Sequence, residues 1–180
     1  MTEQIIIAGF GGQGVMSMGQ LLAYAGMLEG RNVSWLPSYG PEMRGGTANC
    51  CVIISDEMIA SPIVTRATAV IALNRPSLDK FEEAVMPGGC LFINSSLADR
   101  KAVRQDIQTY YIPANEEADR LGSSRVANSI MLGAYLAKSG SSVSPGSVIE
   151  ALKKVLGSSK QDLIPVNEKA LTRGAELIND

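Results

Sequence analysis

The chain has 180 residues, a formal net charge of −2 and a pI near 5.3, and 46% of its residues are hydrophobic, 19% charged and 5% aromatic. This length suits one domain with its own buried core, so we expect a single domain over residues 1–180. The negative net charge argues against nucleic acid or an anionic membrane as the main partner. We expect a cytoplasmic protein, because the sequence shows neither an apolar run of roughly 20 residues nor a basic leader.

Residues that bind metals or clusters are scarce. The sequence contains no histidine and no C-x-x-C, and its cysteines are Cys50, Cys51 and Cys90. Cys50 and Cys51 are neighbours in a predicted strand, where successive side chains point to opposite faces, so they cannot hold one ion together. We therefore expect no zinc or iron–sulfur site on this chain, no histidine-based triad, and reduced, buried cysteines.

The chain opens with a strand, a glycine turn and a helix. Three isoleucines at positions 5–7 indicate a buried strand, and an apolar stripe over residues 13–29 indicates a helix. Between them, Gly9, Gly11 and Gly14 fit G-x-G-x-x-G. Because glycines permit close backbone approach, and the N–H groups that open a helix attract anions, the turn predicts a phosphate-bearing ligand. The same turn would also serve plain packing of a helix on a sheet.

A second strand is predicted over residues 32–36. In a dinucleotide-binding unit an Asp or Glu follows this strand and holds the ribose hydroxyls. Here the corresponding residues are Leu36, Pro37, Ser38 and Tyr39, and the nearest acid, Glu42, lies beyond a turn. The sequence therefore disfavours NAD and FAD.

The next segment, residues 37–50, is a second glycine-rich loop with two prolines. Because it follows the second strand, we expect it at the same end of the sheet as the glycine turn. Arg44 would offer a planar cation for phosphate or carboxylate, Glu42 could orient it, and Tyr39 could stack or hydrogen-bond. An ordinary structural ion pair is the alternative.

The remaining elements complete an α/β pattern. Residues 47–55 predict a strand antiparallel to the second one, because the loop between them is too short for a helical crossover. Further strands are predicted at 67–73, 90–94 and 107–112, with a short edge segment at 59–62, and helices at 76–84, 114–121, 125–138, 147–156 and 167–178. We predict a three-layer, Rossmann-like domain with a mostly parallel sheet of six or seven strands, an antiparallel excursion at 47–55 and helices on both faces. Asn128 is a polar side chain expected to face the sheet.

Two motifs together resemble the gamma subunit of 2-oxoacid:ferredoxin oxidoreductases. They are Gly9-Phe10-Gly11-Gly12-Gln13-Gly14-Val15 and Tyr39-Gly40-Pro41-Glu42-Met43-Arg44-Gly45-Gly46. Their spacing and the chain length also match, so the resemblance covers the whole chain. The fuller loop sequence is similar to the 2-oxoglutarate branch of that family, with the 2-oxoisovalerate branch close behind.

The resemblance implies a reaction in which a 2-oxoacid, coenzyme A (CoA) and oxidised ferredoxin give acyl-CoA, carbon dioxide and reduced ferredoxin. It also implies that alpha and beta subunits hold thiamine diphosphate with Mg²⁺, that iron–sulfur clusters lie on the beta and ferredoxin-like delta subunits, and that no cofactor resides on this chain. The gamma subunit would cover the active-site entrance and contact CoA. Whether the isolated chain forms a homodimer stays open.

The resemblance and the motifs select candidate binding residues on both loops: Gly11, Gly12, Gln13, Gly14, Tyr39, Arg44, Gly45 and Gly46. Either loop could instead grip the alpha subunit, since glycine-rich loops also permit close protein approach. We assign no residue as a catalytic acid, base or nucleophile. A self-sufficient, nucleotide-binding Rossmann-type enzyme is the alternative, and it would hold a nucleotide as an isolated chain.

Overall fold

The computed structural model describes residues 1–40, 46–138 and 143–179. Within them, the strands are β1 (Thr2–Phe10), β2 (Asn32–Tyr39), β3 (Thr47–Ser55), β4 (Ala67–Ala72), β5 (Val85–Asn94) and β6 (Gln108–Ile112). The helices are α1 (Val15–Leu28), α2 (Arg75–Phe81), α3 (Ala114–Arg120), α4 (Ala127–Lys138), α5 (Pro145–Leu156) and α6 (Ile164–Asn179). No helix in these ranges is both long enough and apolar enough to cross a bilayer.

The six strands form one sheet in the order β2-β3-β1-β4-β5-β6. β1 pairs in parallel with β4, and the parallel pairing continues to β5 and β6. β3 pairs antiparallel with both β1 and β2, so it alone runs against the other strands. The mostly parallel sheet and the antiparallel excursion at residues 47–55 are confirmed.

Helices cover both faces of the sheet, but very unequally. One face packs against α1, α3, α4, α5 and α6 around a core that includes Ile5, Ile7 and Phe92. Within the described residues, the opposite face carries only α2, whose Leu78 packs with Ile6 and Ile93. β1 is buried by both layers because its isoleucines alternate between them.

Several predicted boundaries differ from the structure, among them three that concern strands. β2 runs on through Tyr39, since the proline at position 37 is tolerated in a strand at the sheet edge. β5 begins at Val85 rather than residue 90, and the glycine pair that predicted a turn instead accompanies a register shift against β4. Residues 59–62 form bends and coil, not the predicted edge segment.

Candidate functional site

The glycine turn lies at the carboxyl end of β1, between that strand and α1. Gly12 and Gly14 have φ angles of 93° and 81°, in the left-handed region that favours glycine. The turn is closed by Gln13, whose backbone N–H donates to the Phe10 carbonyl at 3.1 Å and whose side-chain Oε1 accepts from the Phe10 N–H at 2.6 Å. The backbone of the turn is therefore held in one conformation by its own sequence.

Only some N–H groups of this turn are free to bind a ligand. The Gly11 N–H donates to the carbonyl of Gly46 at 2.9 Å, which ties the glycine turn to the second glycine-rich loop. Within the described chain, the N–H groups of Gly12 and Gly14 donate no hydrogen bond. The first turn of α1 contains no acidic residue, so its unpaired N–H groups retain their attraction for an anion.

Two cavities flank Gly12. The first, which we call the amide pocket, has a volume of about 290 Å³ and lies towards β4, β5 and α4. Its lining residues are Gly12, Gln13, Leu73, Asn94, Asn115, Ser124, Arg125, Ala127 and Asn128. The second, the tyrosine pocket, has a volume of about 320 Å³ and is lined by Phe10, Gly11, Gly12, Gly14, Val15, Met16, Ser17, Tyr39 and Ala48. An added Cβ on Gly12 would meet nothing within 4 Å, so a ligand could lie over this residue between the two cavities.

The orientation of the Gln13 amide is fixed from behind the amide pocket. Asn74, which is 2% exposed, accepts the Ser77 N–H at its Oδ1 (3.0 Å) and so caps α2. Its Nδ2 then donates to Gln13 Oε1 at 2.9 Å. Because Gln13 Oε1 accepts from both Phe10 and Asn74, the two N–H bonds of Gln13 Nε2 are left for the cavity, and within the described chain they have no partner.

A second buried asparagine orients Asn115 in the same way. Asn94, also 2% exposed, accepts at Oδ1 from the N–H groups of Ser96 and Ala114, both at 3.3 Å. Its Nδ2 donates to the Leu73 carbonyl at 3.2 Å and to Asn115 Oδ1 at 2.8 Å. The Nδ2 group of Asn115 therefore remains as a donor for the amide pocket.

The rest of the amide pocket adds positive charge without a counter-charge. Arg125 is exposed and makes no ion pair with any described residue, and the described lining contains no Asp or Glu. Asn128 packs directly on Gly14, where an added Cβ would approach the Asn128 Nδ2 at 2.3 Å. N–H donors and one cation are the groups that recognise phosphate or carboxylate oxygens.

The structure brings together most of the candidate residues that the sequence predicted. Gly11, Gly12, Gln13, Gly14 and Tyr39 line the two pockets, and Gly46 joins them through its carbonyl. Arg44 and Gly45, together with Glu42, lie outside the described residues.

Sequence reasoning missed the other half of the amide pocket: Asn94, Asn115, Ser124 and Arg125. One signal was available for Asn94, which is the last residue of a buried parallel strand, where open α/β sheets bind ligands. Asn128 was expected to face the sheet, and the structure places it against Gly14 at the sheet's carboxyl edge.

The cysteines are separate from this site. Cys50 packs under α1, whereas Cys51 packs with the core of the opposite face, as the strand alternation predicted. Burial raises the pKa of the Cys50 thiol to about 12, although a hydrogen bond with the Trp35 side chain acts to lower that pKa. No group of three or more Cys, Asp or Glu side chains in the described residues is arranged to hold a metal ion.

The fold and the pockets define a class: an α/β domain with a glycine turn and neighbouring amide donors at the carboxyl edge of its sheet, which is where open α/β sheets bind their ligands. Residues 4–177 match the family model described as pyruvate ferredoxin/flavodoxin oxidoreductase, and the chain belongs to this family. It is also similar to the gamma subunit of a keto/oxoacid ferredoxin oxidoreductase from Geobacter sulfurreducens, with a TM-score of 0.82 and 31% identity, over 98% of both chains.

Sequence relatives carry related names. The chain is 42% identical over 173 residues to ketoisovalerate oxidoreductase subunit VorA of Methanothermobacter thermautotrophicus, an alignment that covers 96% of this chain but only 36% of the relative. It is 32% identical over 185 residues to 2-oxoglutarate synthase subunit KorC of Methanothermobacter marburgensis, covering 99% and 97% of the two chains. Both relatives are named as subunits, the first of a ketoisovalerate oxidoreductase and the second of a 2-oxoglutarate synthase.

Proposed function

We propose that this chain is the gamma subunit of a 2-oxoacid:ferredoxin oxidoreductase and that its amide pocket binds an anionic group of CoA. In this proposal the alpha and beta subunits hold thiamine diphosphate with Mg²⁺, and the beta and ferredoxin-like delta subunits hold the iron–sulfur clusters. The observation that carries the CoA assignment is the amide pocket itself, where N–H donors and Arg125 converge beside the glycine turn without a described carboxylate.

CoA suits this site because it is a polyanion with a reactive end. Its 3′-phosphate and pyrophosphate would take the hydrogen bonds of Gln13, Asn115 and Arg125, while its thiol accepts the acyl group at the catalytic centre. The chain's own residues would then bind and orient the cofactor. Neither pocket supplies an acid–base pair from its described lining, so the chemistry of decarboxylation is assigned to partner subunits.

The opposite side of the glycine turn suits a protein partner. Trp35, Leu36 and Tyr39 on the edge strand β2 are 38%, 40% and 58% exposed, and tryptophan and tyrosine are enriched at the centres of interfaces. The VorA relative is a longer chain, of which this domain spans 36%. We propose that the alpha subunit covers β2 and the second glycine-rich loop.

The alternative, a self-sufficient dinucleotide-binding enzyme, is disfavoured by the order of the strands. In a dinucleotide-binding unit the second strand lies beside the first, so that its terminal acid reaches the ribose. Here β3 lies between β1 and β2, and β2 ends in Ser38 and Tyr39. The ribose contact of that class has no counterpart at this position.

The test uses the reconstituted complex and two arginine variants. We expect Arg125→Gln to raise KM for CoA by about tenfold with all subunits still co-purifying, because a phosphate contact is worth roughly 1.4 kcal/mol or more. We expect Arg44→Ala to weaken co-purification of the alpha subunit. An unchanged KM for CoA in the Arg125→Gln complex would contradict the CoA site.

The same preparation identifies the 2-oxoacid. The loop motif and the relatives favour 2-oxoglutarate and 2-oxoisovalerate over pyruvate. We expect one of these two to give the highest kcat/KM, measured as ferredoxin reduction that requires both CoA and the gamma subunit. Ferredoxin reduction that proceeds equally well without the gamma subunit would contradict its proposed role.

A further inference from the structure

We propose that Asn74 and Asn94 are positioning residues that set the hydrogen-bonding polarity of the amide pocket. By fixing the amides of Gln13 and Asn115 from behind, they make both of these amides present their N–H donors to the cavity, and so favour an ionised oxyanion. This inference rests on the proposed function, in which the pocket takes an anionic group. The shared chemistry is a phosphate of CoA or the carboxylate of the 2-oxoacid.

We call each of these chains of hydrogen bonds a relay; the first runs from Ser77 at the start of α2 through Asn74 to Gln13 in the glycine turn. Asn74 Oδ1 is occupied by the Ser77 N–H, so only its Nδ2 can face Gln13. If the Gln13 amide were turned over, its Nε2 would meet two donors, the Phe10 N–H and Asn74 Nδ2, and two hydrogen bonds would be lost. The orientation that leaves the N–H₂ group towards the cavity is therefore the only one that satisfies this buried network.

The second relay is independent of the first. Asn94 lies on β5, and both of its side-chain atoms are fully engaged: Oδ1 by two backbone N–H groups and Nδ2 by the Leu73 carbonyl and Asn115 Oδ1. The two asparagines lie at the carboxyl ends of neighbouring parallel strands, Asn74 two residues after β4 and Asn94 at the end of β5. Two separate networks thus impose the same polarity on one cavity.

Capping alone does not explain the asparagine at position 74. An aspartate would accept the Ser77 N–H and cap α2 equally well. What aspartate lacks is the Nδ2 donor, which together with the Phe10 N–H holds the oxygen of the Gln13 amide. The amide nitrogen is therefore the feature that separates a positioning role from a merely structural one.

The test compares two substitutions at this position in the full complex. Asn74→Asp keeps the shape and the cap but replaces the donor with a carboxylate oxygen, which repels Gln13 Oε1 and attracts its N–H₂ group. We therefore expect Gln13 to turn its N–H₂ towards Asp and its oxygen towards the cavity, exchanging the hydrogen bond from Phe10 for one to the carboxylate. Asn74→Ser also caps α2 but is too short to reach Gln13, whose orientation is then still held by Phe10. We expect Asn74→Asp to raise the KM of the anionic ligand by about tenfold or more and Asn74→Ser by about threefold or less. A structural role predicts the reverse order, because serine leaves the larger packing defect.

Three further variants keep the proposal testable if Asn74→Asp does not fold. Asn94→Asp should act on Asn115 as Asn74→Asp acts on Gln13. Gln13→Glu and Asn115→Asp keep the internal hydrogen bonds and replace only the cavity-facing N–H₂ with a carboxylate oxygen, so both should weaken anion binding with little loss of thermal stability. If all the variants that fold leave the KM values unchanged, the proposal is wrong.

The readouts distinguish the two sources of the anion. A raised KM for CoA with an unchanged KM for the 2-oxoacid identifies a CoA phosphate, and the converse identifies the substrate carboxylate.

A direct titration of the full chain with inorganic pyrophosphate, followed through the Gln13 and Asn115 side-chain amide signals by NMR, tests the pocket without turnover. Weakened pyrophosphate binding in Asn74→Asp, together with a shifted Gln13 side-chain amide signal in the unbound variant, supports the relay even if the complex proves not to be an oxidoreductase, whereas weakened binding with an unshifted signal reports charge repulsion and overturns it. If Asn74→Asp binds pyrophosphate normally and the complex is active, the positioning role of Asn74 is wrong while the proposed function still stands.

Discussion

At the scale of single residues, Gly14 is constrained twice. Its φ of 81° disfavours any side chain, and a Cβ there would run into the amide of Asn128. Gly30 shares the first constraint, with a φ of 72°, but nothing lies within 4 Å of its added Cβ. The pair therefore separates backbone strain from steric conflict.

We predict that Gly30→Ala lowers the free energy of unfolding by about 1 kcal/mol and Gly14→Ala by roughly 2–4 kcal/mol, because the second adds overpacking to strain. Urea unfolding of both variants measures the difference. Adding Asn128→Ala to Gly14→Ala should recover the steric part, and a double variant no more stable than the single one would show that the contact with Asn128 is not the cause.

The residue scale also shows what the sequence could and could not predict about the site. The glycine motif located the turn, and Tyr39 and Gly46 were placed beside it because consecutive strands end at one edge. The role of Gln13 was not predictable, because its oxygen is engaged by Asn74, which is 61 positions away. A hydrogen bond between two amides so distant in sequence leaves no periodic pattern in a single chain.

At the scale of elements, α4 and α6 approach each other so closely that glycine is required at the crossing. An added Cβ on Gly133 would lie 2.0 Å from the Leu171 carbonyl oxygen, and one on Gly174 would lie 1.9 Å from the Ile130 carbonyl oxygen. Both obstacles are backbone atoms, which cannot turn aside as a side chain can. The two helices would have to move apart, and with them the core that they cover.

We predict that Gly133→Ala and Gly174→Ala each lower the free energy of unfolding by about 3 kcal/mol, at the severe end for overpacking. Gly146→Ala is the matched control, because its Cβ in α5 would meet only Ser144 Oγ at 3.8 Å. That control should raise stability by about 0.5–1 kcal/mol through helix propensity. Thermal unfolding of the three variants would contradict this view of the crossing if they lost stability equally.

The sequence predicted the elements themselves better than their arrangement. Periodicity and capping residues located the helices, including the start of α2 at Asn74 with the proline at position 76, and the short loop indicated that β3 is antiparallel to β2. The insertion of β3 between β1 and β2 could not be predicted. Both pairings bury similar β-branched surfaces, so only the packed sheet decides between them.

At the scale of the whole molecule, the thinly covered face of the sheet depends on one buried carboxylate. Glu82 is 2% exposed and accepts hydrogen bonds from the N–H groups of Val103 at 2.6 Å and Arg104 at 3.0 Å, and from Arg100 at 2.9 Å. Burial opposes its ionisation, but these hydrogen bonds outweigh it, so the pKa of Glu82 lies below its ordinary value of 4.5. The carboxylate thereby holds residues 100–104 beside α2.

A carboxyl group whose pKa is lower in the folded state than in the unfolded state stabilises the fold at pH values above its unfolded-state pKa. This stabilisation is lost as the pH falls through the folded-state pKa. We predict that Glu82→Gln lowers the free energy of unfolding by about 2–3 kcal/mol at neutral pH, because charge-assisted hydrogen bonds are lost, and that its deficit against the native chain narrows below pH 4.5. Urea unfolding across this range measures the narrowing. The exposed neighbour Glu83, changed to Gln, should shift stability by less than about 0.5 kcal/mol, and a pH-independent deficit in Glu82→Gln would contradict the assignment.

The uneven distribution of helices has a consequence for biosynthesis. Every strand of the sheet has been synthesised once Ile112 is added, yet four of the five helices that cover its main face, α3 to α6, are translated afterwards. Until these four helices have formed and packed, the main face of the sheet is an apolar surface that only α1 partly covers. Chaperones bind surfaces of this kind. The docking of α6 against α4 is therefore the event that ends this exposure, and the two crossing glycines make it geometrically permissible.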